Sequence, residues 1–236
     1  KPGQGKGLVK REVTRVITPG TVVEEDFLQK DDNNYLAAIS QEGADFGLAF
    51  VDISTGEIQA HHFRGGENNE PLAKIREQIA LLQPAEIILQ DSLSKELLNK
   101  LGLQDQNSFN FAQMEDLGFN GENEALKFLE NQLPNDLLKN SGLKDCQAAS
   151  SAVATALGYI RKMQRGSLDH LHKIKLYKTK GTLLLDTITM RNLEVFESLY
   201  SRDKKNSLWG ILNRTKTAMG ARLLRKWLER PLLEQR

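Results

Sequence analysis

Between Tyr35 and Phe63 the apolar residues fall in three short runs, and after Gly65-Gly66 they recur at helical spacing instead. This change of period limits the fold more than any other feature of the chain. The runs Tyr35–Ser40, Phe46–Ile53 and Ile58–Phe63 have strand length, and only a few polar residues separate them, which predicts an antiparallel meander. The segment Asp52-Ile53-Ser54-Thr55-Gly56-Glu57 is a turn with a mechanism: the Asp52 carboxylate accepts from N–H groups ahead of it, and Gly56 supplies a positive φ. Beyond the paired glycines, Leu72, Ile75, Ile79 and Leu82 share one helix face that stops before Pro84. Ala85–Leu89 reads as a buried strand, apolar apart from Glu86. Ser92 is placed to cap a helix carrying Leu93, Leu97, Leu98 and Leu101. Phe109 and Phe111 alternate as in a strand, and Leu126, Leu129 and Leu133 mark a helix. Ser150–Met163 predicts a helix that is small and apolar on one side, with Val153, Leu157 and Ile160. The predicted fold class is therefore α/β, a mixed sheet with helices against it.

The two ends read differently. Lys1–Gly7 has three alternating glycines and reads as a linker, since a phosphate loop needs a strand before it and a helix after it. Thr18-Pro19-Gly20-Thr21 has Pro and Gly at the centre of a turn, which predicts type II geometry. From Leu183 the chain turns helical: a helix over Leu185–Leu199, a charged break at 203–206, a short piece over Leu208–Leu212, and a helix over Ala218–Arg230. Thr217 caps the last of these and Pro231 ends it. On its wheel Met219, Leu223, Leu224, Trp227 and Leu228 take one half, and Arg222, Arg225 and Lys226 the other.

Charge is divided between the same two parts. Residues 1–172 hold 17 Lys+Arg against 25 Asp+Glu, a balance of −8, while residues 173–236 hold 15 against 6, a balance of +9. The basic part either approaches a nucleic-acid backbone or packs against an acidic segment outside this chain. Arg222, Arg225 and Lys226 are accordingly possible DNA-backbone-facing residues, with a solvated or structural helix face as the plainer alternative. No stretch approaches the roughly 20 apolar residues of a membrane helix, and Lys1–Lys10 has no apolar run of the secretory kind. A single cysteine, Cys146, allows no internal disulfide and reads as a small buried residue. The simplest location is cytoplasmic. His61-His62 and His170-Leu171-His172 carry ligand-type side chains, but no third ligand accompanies them, so packing is the expected role and no metal is expected.

Three passages resemble the MutS family of DNA mismatch repair proteins, in the family's order and spacing. Ile17-Thr18-Pro19-Gly20-Thr21 is similar to the stretch that opens its connector domain, and Asp52–Glu57 to that domain's early hairpin. Leu185-Asp186 and Arg191-Asn192-Leu193-Glu194 are similar to the start of its core domain. Leu212–Leu232, with Met219-Gly220-x-Arg-Leu-Leu-x-x-Trp227-Leu and then Pro231-Leu232, continues it. Two departures are mild: Asn213 stands where the family usually has aspartate, and Ala218 where it often has proline. The resemblance covers about Lys10–Arg236, loosely over 103–145.

The resemblance implies a linker remnant over 1–10, a ribonuclease-H-like connector over 11–172, and the first helices of an all-α core over 173–236. Pro19, Gly20, Asp52, Gly56, Asp186, Arg191, Asn192, Met219, Gly220 and Trp227 are its structural motif residues. Arg191 and Asn192 are expected to make intramolecular hydrogen bonds. The implied role is a non-catalytic connector that couples mismatch-binding and ATPase regions and docks MutL. The family's Phe-x-Glu reader is not expected here, since no such segment precedes residue 10, and no G-x-x-x-x-G-K-[ST] loop occurs in these residues. ATP, magnesium and mismatched double-stranded DNA are therefore expected for an intact protein only, with no cofactor, catalytic or metal residue here. The MutL-contacting residues are expected within Phe109–Gln132 and stay unassigned. Two alternatives follow from the same fold expectation: a two-metal nuclease, and a purely structural spacer. Against the nuclease, the first strand carries no acid, Asp45 lies in a turn, and Asp52 begins another. A monomer is expected, with Leu193, Phe196, Leu208, Leu223 and Trp227 as an exposed patch prone to self-association.

Overall fold

The computed structural model describes residues 13–23, 32–66, 70–90, 94–102, 110–114, 119, 123–164, 168, 171–177, 183 and 185–233. Six strands form one mixed sheet. β1 (Leu36–Glu42), β2 (Asp45–Asp52) and β3 (Glu57–Phe63) are the expected antiparallel meander, with Leu36 opposite Val51 and Phe46 opposite Phe63. Helix α1 (Glu70–Leu82) crosses back so that β4 (Glu86–Gln90) lies parallel to β1. After α2 (Ser94–Leu101), β5 (Asn110–Met114) lies parallel to β4. Helices α3 (Glu124–Gln132), α4 (Asn135–Ser141) and α5 (Gln147–Gln164) follow, and β6 (Lys173–Tyr177) closes the sheet parallel to β3. The order is β5-β4-β1-β2-β3-β6. The sheet thus includes β6, which begins at Lys173 and completes the ladder of β3.

Alternation along the strands decides which helix covers which face. Leu36 and Ala38 join Val51, Ile58 and Ile88 beneath α5. Tyr35, Ala37 and Ile39 join Leu48, Phe50 and Ile87 beneath α1. The central strands are apolar on both faces because both faces are covered. Helix α5 is buried continuously from Ala148 to Ile160, not on one side only. Its small residues let its first turn lie against β2: a Cβ on Gly47 would sit 1.9 Å from the Ala148 carbonyl oxygen. The Ser40 hydroxyl donates to that same oxygen at 2.6 Å.

Two local expectations change. Thr18–Thr21 is a 3-10 turn over Pro19–Thr21, not type II, and Gly20 is absent from the positive-φ glycines. Its lack of a side chain matters for space, since a Cβ there would meet Leu36 Cδ1 at 2.7 Å and Glu86 Cβ at 2.9 Å. The helix expected over Leu185–Leu199 is only α6 (Thr187–Asn192), closed by Glu194 at φ 49°. The Glu194 carboxylate accepts from the Leu199 N–H at 2.6 Å, and its carbonyl accepts from Leu208 N–H at 2.9 Å. The apolar period there seats Met190 and Val195 inside the turn and does not prolong a helix. Then come α7 (Leu208–Leu212) and α8 (Ala218–Glu229), with Thr217 capping as expected through Gly220 N–H at 3.1 Å. The linker over 1–7, Ser92 and Phe109 lie outside the described residues.

Candidate functional site

Successive residues of β3 must face opposite ways, so Glu57, Gln59 and His61 share the face that α1 packs on. Here the row is polar although buried: Glu57 and His61 are 5% exposed and Gln59 is 2% exposed. What covers it is α8 and the residue after it, from the basic end of the chain. Lys226 pairs with Glu57. Arg225 pairs through Nη1 with Asp32 at 2.9 Å and through Nε with Glu229 at 2.9 Å, and its guanidinium lies 4.5 Å from the Phe196 ring centroid. Lys204 takes the other Asp32 oxygen at 2.7 Å.

Arg230 enters deepest. It donates to Gln78 Oε1 on α1 at 2.7 Å, stacks over the Tyr177 ring on β6 at 3.9 Å, and approaches His61 Nε2 at 3.5 Å. The His61 ring is itself stacked on Tyr177, with centroids 5.1 Å apart and planes within 10°. Burial holds His61 well below the usual histidine range, and the nearby Arg230 charge adds to that. It is therefore neutral at physiological pH and does not set a second cation beside Arg230. Burial raises the Glu229 carboxyl, against the opposing pull of Arg225.

Of Arg222, Arg225 and Lys226, weighed as DNA-backbone-facing or as a structural helix face, none is fully open to solvent. Arg225 and Lys226 turn towards the sheet, and Arg222 is half-buried. The reason is electrostatic. The acidic segment that complements the basic end is within this chain, a reading that the charge balance alone left out. Arg230, Asp32 and Glu57 were missed in the sequence, and the −8/+9 division was the signal that pointed to them.

A second polar cluster fixes the N-terminal approach to the sheet. Glu86, 3% exposed, accepts from Thr18 Oγ1 at 2.6 Å, Gly20 N–H at 2.9 Å and Tyr159 OH at 2.6 Å. The Pro19-Gly20 motif is the loop that this carboxylate holds. The Asp52 turn forms as expected: Oδ1 accepts from Ser54 N–H at 2.9 Å, Ser54 Oγ at 2.7 Å and Thr55 N–H at 3.2 Å. Asn33 Nδ2 donates to Oδ2 at 2.6 Å, and Gly56 has φ 68°. Both Asp52 oxygens are engaged, Oδ1 by the turn and Oδ2 by the Asn33 side chain.

Of the remaining motif residues, Asp186 caps α6 by accepting from Thr189 N–H at 2.6 Å. Arg191 and Asn192 are exposed at its end, and the Arg191 carbonyl accepts from Glu194 N–H at 3.0 Å. Gly220 admits α8 close to Thr215, whose Cβ would lie 3.1 Å from an added Cβ. Met219 and Trp227 are 80% and 64% exposed. His61 and His62 face opposite sides of the sheet. His62 pairs with Asp45 at 3.0 Å, and His170 lies outside the described residues. Among the described residues no group of three or more His, Cys, Asp or Glu is placed to hold a metal, and no helix is long and apolar enough to cross a membrane.

Comparison with known proteins agrees with this geometry. A family model for MutS domain II matches residues 34–172, and one for MutS domain III matches residues 188–236. The DNA mismatch repair protein MutS of Symbiobacterium thermophilum is 40% identical over 235 residues, covering 100% of this chain and 26% of that protein. The proteins of the same name from Caldanaerobacter subterraneus and Caldicellulosiruptor bescii are 34% and 37% identical over 99% of the chain, covering 26% and 25% of their own lengths. The chain spans about a quarter of the length of the curated relatives it matches. Matched by both family models and by these relatives over nearly its whole length, the chain belongs to the MutS family of DNA mismatch repair proteins.

Proposed function

We propose that this chain serves as the non-catalytic connector of a mismatch-repair protein, coupling the mismatch-binding and ATPase regions and docking MutL. The observation that carries the reading is the junction itself. A sheet unit and the first helices of the next unit meet through directional, charge-matched contacts, which suit transmission of a change in domain position. The strand order, a three-strand antiparallel meander with parallel strands β4 and β5 on one side and β6 on the other, supports the ribonuclease-H-like reading of the connector. A nuclease is disfavoured because Asp52 is engaged on both oxygens by its own turn and by Asn33. ATP, magnesium and mismatched DNA then belong to an intact cytoplasmic protein, and contact with its other domains falls to the helical unit.

The test is calorimetric binding of this chain to the N-terminal ATPase domain of the MutL from the same organism, at two salt concentrations. Saturable binding is expected, and substitutions across Phe109–Gln132 then locate the contact. Absence of binding at both salts would sink the docking role and leave the spacer reading.

A further inference from the structure

We infer that the sheet unit and the helical unit are joined by a releasable polar joint keyed by Arg230, and not by a shared hydrophobic core. Neither hydrophobic cluster of the sheet unit includes a described residue beyond Leu176. Besides the packing of α6 on α1, the directional contacts across the joint are Asp32 with Lys204 and Arg225, Glu57 with Lys226, and Arg230 with Gln78 and Tyr177. The Arg230 side chain touches α1, β3 and β6 together, so it sets where the helical unit sits.

Separation has a particular chemistry. Parting an apolar interface exposes surface that water solvates poorly, at a cost that grows with area. Parting this one returns carboxylates, guanidinium and ammonium groups to water, which recovers the hydration lost when they were buried. Added salt screens the attraction while the joint is partly exposed, as it is at Lys204 and Asp32. The joint thus has two well-defined arrangements, docked and parted, and neither requires either unit to unfold. Use of this device for coupling rests on the connector reading, whereas the joint itself needs no partner.

Pulsed EPR between spin labels tests it in the full chain, with Cys146→Ala, Asn131→Cys on α3 and Met219→Cys on α8, the last two at exposed positions. One narrow distance is expected at about 50 mM salt, and a second, longer population is expected to grow at about 500 mM. Arg230→Ala is expected to raise the parted-to-docked ratio about tenfold, a size typical of coupling between sites. Glu57→Lys is expected to part the units too, and Glu57→Lys with Lys226→Glu to restore docking. Unchanged distances in Arg230→Ala and Glu57→Lys at both salts would overturn the joint. If Arg230→Ala does not fold, the charge-swapped pair decides: restoration supports the joint, and no restoration overturns it. Because no MutL is present, failure here leaves the docking reading standing, and failure of docking leaves the joint standing.

Discussion

In the sheet unit the apolar side chains converge. Leu36, Phe50, Ile58 and Ile87 are fully buried, and the two faces of the sheet close over separate clusters. In the helical unit they diverge: Tyr200, Met219 and Trp227 face outward, while Arg225, Lys226 and Arg230 turn towards the sheet. Both units obey the same rules of helix and strand periodicity. The contrast teaches that an amphipathic pattern names two faces without naming the neighbour of either. A charged face docks on protein when the surface opposite carries the complementary charge, and the apolar face then remains outward.

The largest test of the contrast sets Phe50 against Trp227. Phe50→Ala empties a site with no exposure and is expected to cost about 3–5 kcal/mol in urea unfolding. If Trp227→Ala cost as much, the division between the units would collapse.

An intermediate test lies at the joint. The unfolded chain takes up a proton on His61 near pH 6.5, roughly, whereas burial holds the folded His61 well below that range. The unfolded state therefore binds more protons in this window, so stability rises with pH through it. On acidification the stability is lost below about pH 6.5, with a slope of up to about 1.4 kcal/mol per pH unit. His61→Phe is expected to flatten that slope in denaturation curves taken between pH 7.5 and 5.5. A slope that survives the substitution would assign it elsewhere.

The smallest expected effect on stability is Trp227→Lys, within about 0.5 kcal/mol, because the side chain is already largely in water. Its consequence is expected in association instead. Sedimentation at rising concentration should show less self-association than the parent chain, since an exposed apolar patch has been interrupted. An unchanged sedimentation profile would remove the patch as its cause.

Much of the sheet unit was legible residue by residue. The meander, the α1 face of Leu72, Ile75 and Ile79, the buried strand at Glu86–Gln90, the Asp52 turn with Gly56 at positive φ, and the Thr217 cap all follow from local rules. The places where reading failed share a cause. Gly20 looked like a turn glycine and is a packing glycine, because Leu36 and Glu86 come against it from 16 and 66 positions away in sequence. The apolar period over Leu185–Leu199 looked helical, yet Glu194 bends the chain to receive α7.

By itself the sequence determined the elements: periodicity, caps and turn residues act within a few positions, so strand and helix follow from neighbours in the chain. It also showed that charge is divided between the two parts of the chain. Only the tertiary structure decided that they answer one another, that β6 belongs to the sheet, and that Arg230 reaches α1, β3 and β6 at once. Charge complementarity and close approach depend on distance in space. Residues 152 and 169 positions apart meet at Arg230, and no local pattern records such a meeting.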